Sequence, residues 1–196
     1  MVELIHMEIK VIDKYSALLK GKKESVLVNP SEEYLKKNKS KSRVVIYTSE
    51  DFDGVGFMDD KVLIRGAGEY EVGGVEIIGR DIDNGETIYS IHIDGVMVLV
   101  LGKISNKIKD KIVDKIEVID VLLAPDSIGG EMSYKVVKEW AKEWGVNYLI
   151  PMSEDKEILT KFLDAADEEG LEGAESLKID KENLPDGLEL KLLKVV

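Results

Sequence analysis

With 196 residues the chain has the length of one ordinary domain, and 44% hydrophobic with 34% charged residues describe a folded protein with a buried core and a heavily ionised surface. A net charge of −12 sets that surface against polyanions and removes nucleic acid from the expected partners. The absence of cysteine excludes disulfides and thiolate metal sites and fits a reducing cytoplasm, and no stretch approaches the roughly 18 apolar residues of a membrane span.

The N-terminus, Met1 to Glu8, lacks the basic and apolar regions of a secretory signal, so secretion is not expected. Lys outnumbers Arg, Glu is abundant and Gln is absent, a bias compatible with life at high temperature. Short β-branched runs then predict strands at Glu8 to Val11, Ser16 to Lys20, Ser25 to Val28, Arg43 to Thr48, Lys61 to Arg65, Gly74 to Gly79, Thr87 to Ile93 and Val96 to Leu101. Between them stand Lys20-Gly21-Lys22, Gly73-Gly74, Asn84-Gly85 and Asp94-Gly95, and the last two favour tight hairpins, so consecutive antiparallel pairing is predicted. The basic run from Lys36 to Arg43 lacks interleaved aromatics and is read as a solvated loop.

At Ile104 the period changes. Ile104, Ile108, Ile112, Val113 and Ile116 recur at helical spacing among Lys and Asp, with Ser105 as a candidate N-cap. Ile119 to Ala124 reads as a strand buried on both faces, followed by a Pro125 to Gly130 loop and a helix from Glu131 to Trp144. Asn147 to Ile150 begins a further buried strand that Pro151 is expected to end, Glu154 to Glu168 is a third helix, and Leu188 to Val196 alternates like a strand. The order predicts a single domain, residues 1–196, of the α+β class, with two sheets and outer helices.

Four segments carry a resemblance. Met7 to Lys14 with Val26-Leu27-Val28-Asn29-Pro30, Val44 to Thr48 with the loop Ser49-Glu50-Asp51-Phe52-Asp53-Gly54, Gly66-Ala67-Gly68-Glu69-Tyr70, and Asp120 to Pro125 with Ile150-Pro151-Met152-Ser153 together resemble the metallo-β-lactamase fold, in its compact zinc-dependent hydrolase-like branch. The resemblance implies a four-layer αββα sandwich. It also implies a dizinc centre in a Thr-His-x-His-x-Asp-His loop, of which Thr48 and Asp53 match while Ser49, Asp51 and Gly54 fall at the three histidine positions. Asp13-Lys14 stands where the branch carries Gly-His, and Asn29 where it carries aspartate. Leu101-Gly102-Lys103 corresponds to a Leu-Gly-Asp whose aspartate bridges the metals, and Ser153 falls at the last histidine.

These substitutions act in one direction. A catalytic zinc takes about three protein ligands and keeps one open position; serine and glycine supply little affinity, and a lysine at the bridging position repels a dication. The positions Ser49, Asp51, Asp53, Gly54, Lys103 and Ser153 therefore predict a vestigial site with no metal, no catalytic residue and no zinc cofactor, and a pairing of Lys103 with Asp51 and Asp53. The expected role is non-catalytic, in binding a small molecule or protein or in structure. One competing expectation is a divergent hydrolase holding Mg²⁺ or Mn²⁺ on Glu50, Asp51 and Asp53, extended by Asp126 or Glu154. Another is a homo-oligomer-forming subunit, for which Trp140 and Trp144, four apart on one helix, supply core or contact residues.

Other candidates are weaker. His6 and His92 are two isolated histidines, neither at a ligand position, and are read as surface or packed residues. Ser49 and Ser153 as nucleophiles lack a histidine base. Gly66 and Gly68 precede a strand rather than a helix and are read as a turn, and the acidic run from Asp164 to Glu175 as a solvated helix end.

Overall fold

The structure is a computed structural model and describes residues 7–38, 42–51, 60–82, 85–105, 108, 116, 118–166 and 173–196. In chain order the elements are β1 (Met7–Val11), β2 (Ala17–Lys20), β3 (Ser25–Val28), α1 (Glu32–Asn38), β4 (Val44–Tyr47), β5 (Val62–Arg65), β6 (Gly68–Val72), β7 (Val75–Asp81), β8 (Thr87–Ile93) and β9 (Val96–Val100). Then follow β10 (Val121–Pro125), β11 (Ser127–Ile128), β12 (Glu131–Met132), α2 (Tyr134–Glu143), β13 (Tyr148–Met152), α3 (Lys156–Ala166), β14 (Leu177–Ile179) and β15 (Glu189–Leu190).

Strand alternation divides the apolar residues into three layers of core. One sheet runs β14-β1-β2-β3-β4-β5 and a second β15-β13-β10-β9-β8-β7-β6. Between them lies the largest cluster, with Ile9, Leu19, Val28 and Ile46 from the first sheet against Ile77, Ile91, Val98 and Leu123 from the second. On the outer face of the first sheet Leu35 of α1 packs with Leu27, Val45 and Tyr47. On the outer face of the second, Val137 and Trp140 of α2 and Phe162 of α3 pack with Leu99, Leu122 and Leu149. The result is helix, sheet, sheet, helix. Tyr89 of the second sheet ties the two together, donating its hydroxyl to the carbonyls of Tyr47 at 3.3 Å and Gly66 at 3.2 Å. Burial pushes this phenol up to about 12.

The predicted antiparallel meanders hold for β1-β2-β3 and for β6-β7-β8-β9. The expectation fails at β3-β4 and β4-β5, both parallel. A parallel neighbour requires a crossover, and α1 supplies it after β3. This helix lies partly in what was read as a solvated loop: Ser31 Oγ accepts the Tyr34 N–H at 3.1 Å as an N-cap, and Lys36 and Lys37 pair with Glu32 and Glu33 one turn earlier.

Pro151 does not end its strand. It lies inside β13, opposite Ala124 of β10, while β15 pairs β13 only at Tyr148 and Leu149. On the uncovered side beyond Leu149 a missing N–H costs no ladder bond. The expected strand over Leu188 to Val196 shrinks to β15 and one bridge from Leu193 to Ala174, and the helix expected from Glu131 starts at Tyr134 because residues 131 and 132 pair with β11. The helix predicted from Ile104 to Ile116 falls largely outside the described residues. Among the described residues no helix is long and apolar enough to cross a membrane.

Candidate functional site

The parallel strands β3 and β4 of one sheet and β9, β10 and β13 of the other send their carboxyl ends into a common set of loops. Those loops carry Asn29, Thr48 to Asp51, Gly102 to Ser105, Asp126 and Ser153. Gly102 is held at φ +63, and a Cβ placed on it would lie 2.2 Å from Thr48 Oγ1, so only glycine allows the two sheets to approach here. Thr48, fully buried, also accepts the Thr87 N–H on its carbonyl at 2.7 Å.

Asn29 organises the first sheet's side of this rim. In the left-handed region at φ +44, which asparagine tolerates, its Nδ2 donates to the Tyr15 carbonyl at 3.0 Å and to Thr48 Oγ1 at 2.9 Å, while Oδ1 accepts the Thr48 N–H at 2.8 Å. A carboxylate at this position could accept but not donate, so the network belongs to the amide. Asp13 is likewise committed: its Oδ1 accepts the N–H groups of Tyr15 and Ser16, each at 2.9 Å, and closes the turn between β1 and β2.

Next along the rim, Lys103 Nζ donates to Asp51 Oδ2 at 2.5 Å. The hydrogen bond to that carboxylate holds the ammonium above its ordinary range, with Glu86 and Tyr15 adding smaller favourable fields and burial opposing. Both partners face solvent, at 44% and 67% exposure. Ser49 is buried, accepts the Asp51 N–H on Oγ at 3.2 Å, and forms a bridge with Glu86. Glu86 is 6% exposed and takes the Ser105 N–H at 2.8 Å.

On the second sheet's side, Leu101 N–H reaches the Leu123 carbonyl at 3.1 Å and Ile104 bridges Ile128, which carries residues 101 to 105 alongside the loop after β10. There Ser153, 2% exposed, donates its hydroxyl to Asp126 Oδ2 at 3.4 Å and accepts the Asp155 N–H at 3.1 Å. Ser133 at the head of α2 closes the loop by donating Oγ to the Pro125 carbonyl.

The fold thus brings Ser49, Asp51 and Lys103 together, places Ser153 beside Asp126, and leaves Glu154 exposed. Asp53 and Gly54 lie outside the described residues, as does His6. His92 sits half-exposed near the end of β8 opposite to Glu86, 3.5 Å from a carboxylate oxygen of Glu76. Trp140 is buried and stacks on the half-buried Trp144 at 5.2 Å between ring centres, so this pair serves the outer core. Sequence reasoning missed Glu86 and the Asn29 network: a charged residue one place after an Asn-Gly turn looks like an exposed hairpin end, and nothing local marks it as buried.

These donors do not fit a dizinc centre. Serine hydroxyls stand at two of the implied histidine positions, the carboxylate of Asp51 is neutralised by an ammonium, and among the described residues no three His, Asp or Glu side chains converge as a metal-holding group. Among the described residues neither serine has a histidine base beside it, since His92 faces Glu76. Among the described residues the rim presents the Lys103 ammonium, the buried carboxylates of Glu86 and Asp126 and the buried hydroxyls of Ser49 and Ser153, all suited to hydrogen bonding.

A family model described as a β-lactamase superfamily domain matches residues 8–153. No curated protein matches the chain in sequence. Among solved structures, a metallo-β-lactamase superfamily protein from Thermotoga maritima superposes with a TM-score of 0.78 at 21% identity, covering 96% of this chain and 99% of that one. The metallo hydrolase Igni18 from Ignicoccus hospitalis gives 0.63 at 15% identity over 89% and 98%. The metallo-β-lactamase fold protein YhfI from Bacillus subtilis gives 0.63 at 14% over 89% and 99%.

Proposed function

Since the chain belongs to the β-lactamase superfamily, we propose that it is a non-catalytic member whose metal site is vestigial and whose rim serves binding or structure. The carrying observation is Lys103. At the position that the resemblance assigns to the metal-bridging aspartate it supplies an ammonium, and that ammonium sits on Asp51 at 2.5 Å. One side-chain cation stands where the resemblance places a dication, and any metal approaching Asp51 has to compete with it. Asn29, Asp13, Ser49 and Ser153 support the reading, because each has a side-chain oxygen accepting a backbone N–H of the protein.

The partner is a small molecule or protein in this reading, bound without turnover, in a cytoplasmic setting. Elemental analysis of protein purified without chelator, with thermal melts in Zn²⁺, Mn²⁺, Mg²⁺ and Ca²⁺, tests it. The expected result is substoichiometric metal and no ion-specific rise in Tm. A stoichiometric metal that raises Tm replaces this reading with that of a divergent metal-dependent hydrolase, because a ligand at about 100 times its Kd stabilises the native state by about 2.7 kcal/mol.

A further inference from the structure

Among the described residues three acidic side chains are buried: Glu86, Asp120 and Asp126, at 6%, 1% and 8% exposure. A carboxylate taken out of water is costly unless donors replace the hydration it loses, and its two oxygens accept up to about four hydrogen bonds. Asp120 meets that demand inside the protein. Its oxygens accept Lys181 Nζ at 2.7 Å each, and Oδ2 also takes the Met97 N–H at 2.8 Å. Glu86 takes the Ser105 N–H at 2.8 Å. Asp126 takes one long bond, from the Ser153 hydroxyl to Oδ2 at 3.4 Å, and its Oδ1 has no protein donor.

This shortfall is placed at the rim. Asp126 follows the carboxyl end of β10 and Ser153 that of β13, two neighbouring parallel strands. Among the described residues no enclosed side-chain nitrogen or oxygen lacks a partner, so the unbonded Oδ1 of Asp126 keeps a path to solvent. The charges around it are otherwise engaged or exposed. Lys103 sits on Asp51, Asp13 and Asp155 each accept two backbone N–H groups, and Lys14 lies over the Tyr15 ring at 4.9 Å. Glu50 and Glu154 face solvent and add negative charge, on a molecule whose net charge of −12 gathers cations.

We propose that Asp126 anchors a small organic ammonium ion, which takes at the rim the place that Lys181 takes beside Asp120. This rests on the reading of the rim as a metal-free binding site and names the class of ligand for it. The ammonium supplies the short, charge-assisted N–H donors that Asp126 lacks.

An amide-detected NMR titration with n-butylammonium chloride at constant ionic strength tests the proposal, with n-butanol and tetramethylammonium as probes lacking the charge or the N–H donors. Saturable shifts are expected around residues 126–133 and 153–155, with neither control reproducing them. Asp126→Asn should weaken the binding about tenfold, equivalent to about 1.4 kcal/mol. Glu182→Gln, which removes the same charge from an exposed residue beside Lys181, should leave it unchanged. Ser153→Ala keeps the carboxylate and removes its one internal donor, so it should bind at least as tightly, and it decides the matter if Asp126→Asn fails to fold. No saturable binding, affinity indifferent to Asp126→Asn, equal binding of either control probe, or loss of binding in Ser153→Ala would each overturn the proposal. Absence of ammonium binding in protein with substoichiometric metal sinks this inference and leaves the non-catalytic reading standing, whereas a stoichiometric metal lost in Asp126→Asn sinks both.

Discussion

Gly102 and Lys103 are neighbours with different roles in the rim, and each can be tested alone. At Gly102 a methyl group would lie 2.2 Å from Thr48 Oγ1 in a backbone held at φ +63. The left-handed conformation costs a non-glycine residue about 1 to 2 kcal/mol and overpacking a further 1 to 3. Gly102→Ala is therefore expected to lower unfolding free energy by at least about 2 kcal/mol in urea melts, and an unchanged midpoint would show that the sheets do not approach as described. Lys103 differs because both members of its ion pair are exposed, at 44% and 67%. Such pairs contribute about 0 to 1 kcal/mol, so Lys103→Ala should barely move the urea midpoint. What it should do is release Asp51 and produce a Mn²⁺-dependent rise in Tm that the native protein lacks. Neither a stability change nor new metal binding would mean the lysine does not stand in for an ion. The raised ammonium places the pair's contribution fully below the ordinary lysine value near 10.5, to be lost as pH rises through the higher folded value, so stability from this source is flat across neutral pH.

Among the elements, β14 is attached by a side chain as well as by its ladder. It joins the edge of the first sheet by pairing with β1, and Ser176 just before it donates its hydroxyl to Glu8 Oε1 at 2.8 Å. That hydrogen bond, with Lys10, Lys20 and Lys178 nearby, holds the Glu8 carboxyl below its ordinary value near 4.5 against the opposing effect of burial. A carboxyl depressed in the folded state stabilises above the unfolded value and loses that contribution as pH falls through the folded one. Glu8→Gln should accordingly flatten the acid limb of stability below about pH 4.5 while costing about 1 kcal/mol at pH 7, measured by urea melts from pH 3 to 7. An acid limb identical to the native one would remove Glu8 from it. This strand was not legible in the sequence: Leu-Lys-Ile after an acidic, glycine-punctuated segment is too short for periodicity to show. The strands β1 to β3 and β7 to β10 were legible because their apolar residues alternate or run continuously between turn glycines. What alternation cannot report is direction, so β4 and β5 were expected antiparallel, whereas both pairings are parallel and α1, a seven-residue helix with only Leu35 buried, supplies the crossover from β3 to β4.

At the scale of the molecule, the four layers were legible because a run of strands followed by strand and helix in alternation implies two sheets with helices outside them, and the segments around Gly66 to Tyr70 and Ile150 to Ser153 carried the resemblance that implies the same sandwich. The rim was half legible: substitutions at Ser49, Asp51, Lys103 and Ser153 could be read one by one, whereas the burial of Glu86 and the amide network of Asn29 arise only when both sheets are in place. Global charge bears on the same site. With 39 acidic against 27 basic residues, the folded molecule repels itself more than its expanded chain does, and salt screens that repulsion over roughly 8 to 10 Å at physiological strength. Tm should therefore rise between low and moderate NaCl. A divalent cation raises Tm further only if carboxylates gather it at one place, which exposed Glu50 and lysine-bound Asp51 do not do. At matched ionic strength MgCl₂ and NaCl are thus expected to give the same shift in the native protein. An excess with Mg²⁺ would locate a hard-cation site in this loop and favour the hydrolase, while an equal shift in both salts leaves general screening as the sole effect of cations on this acidic surface.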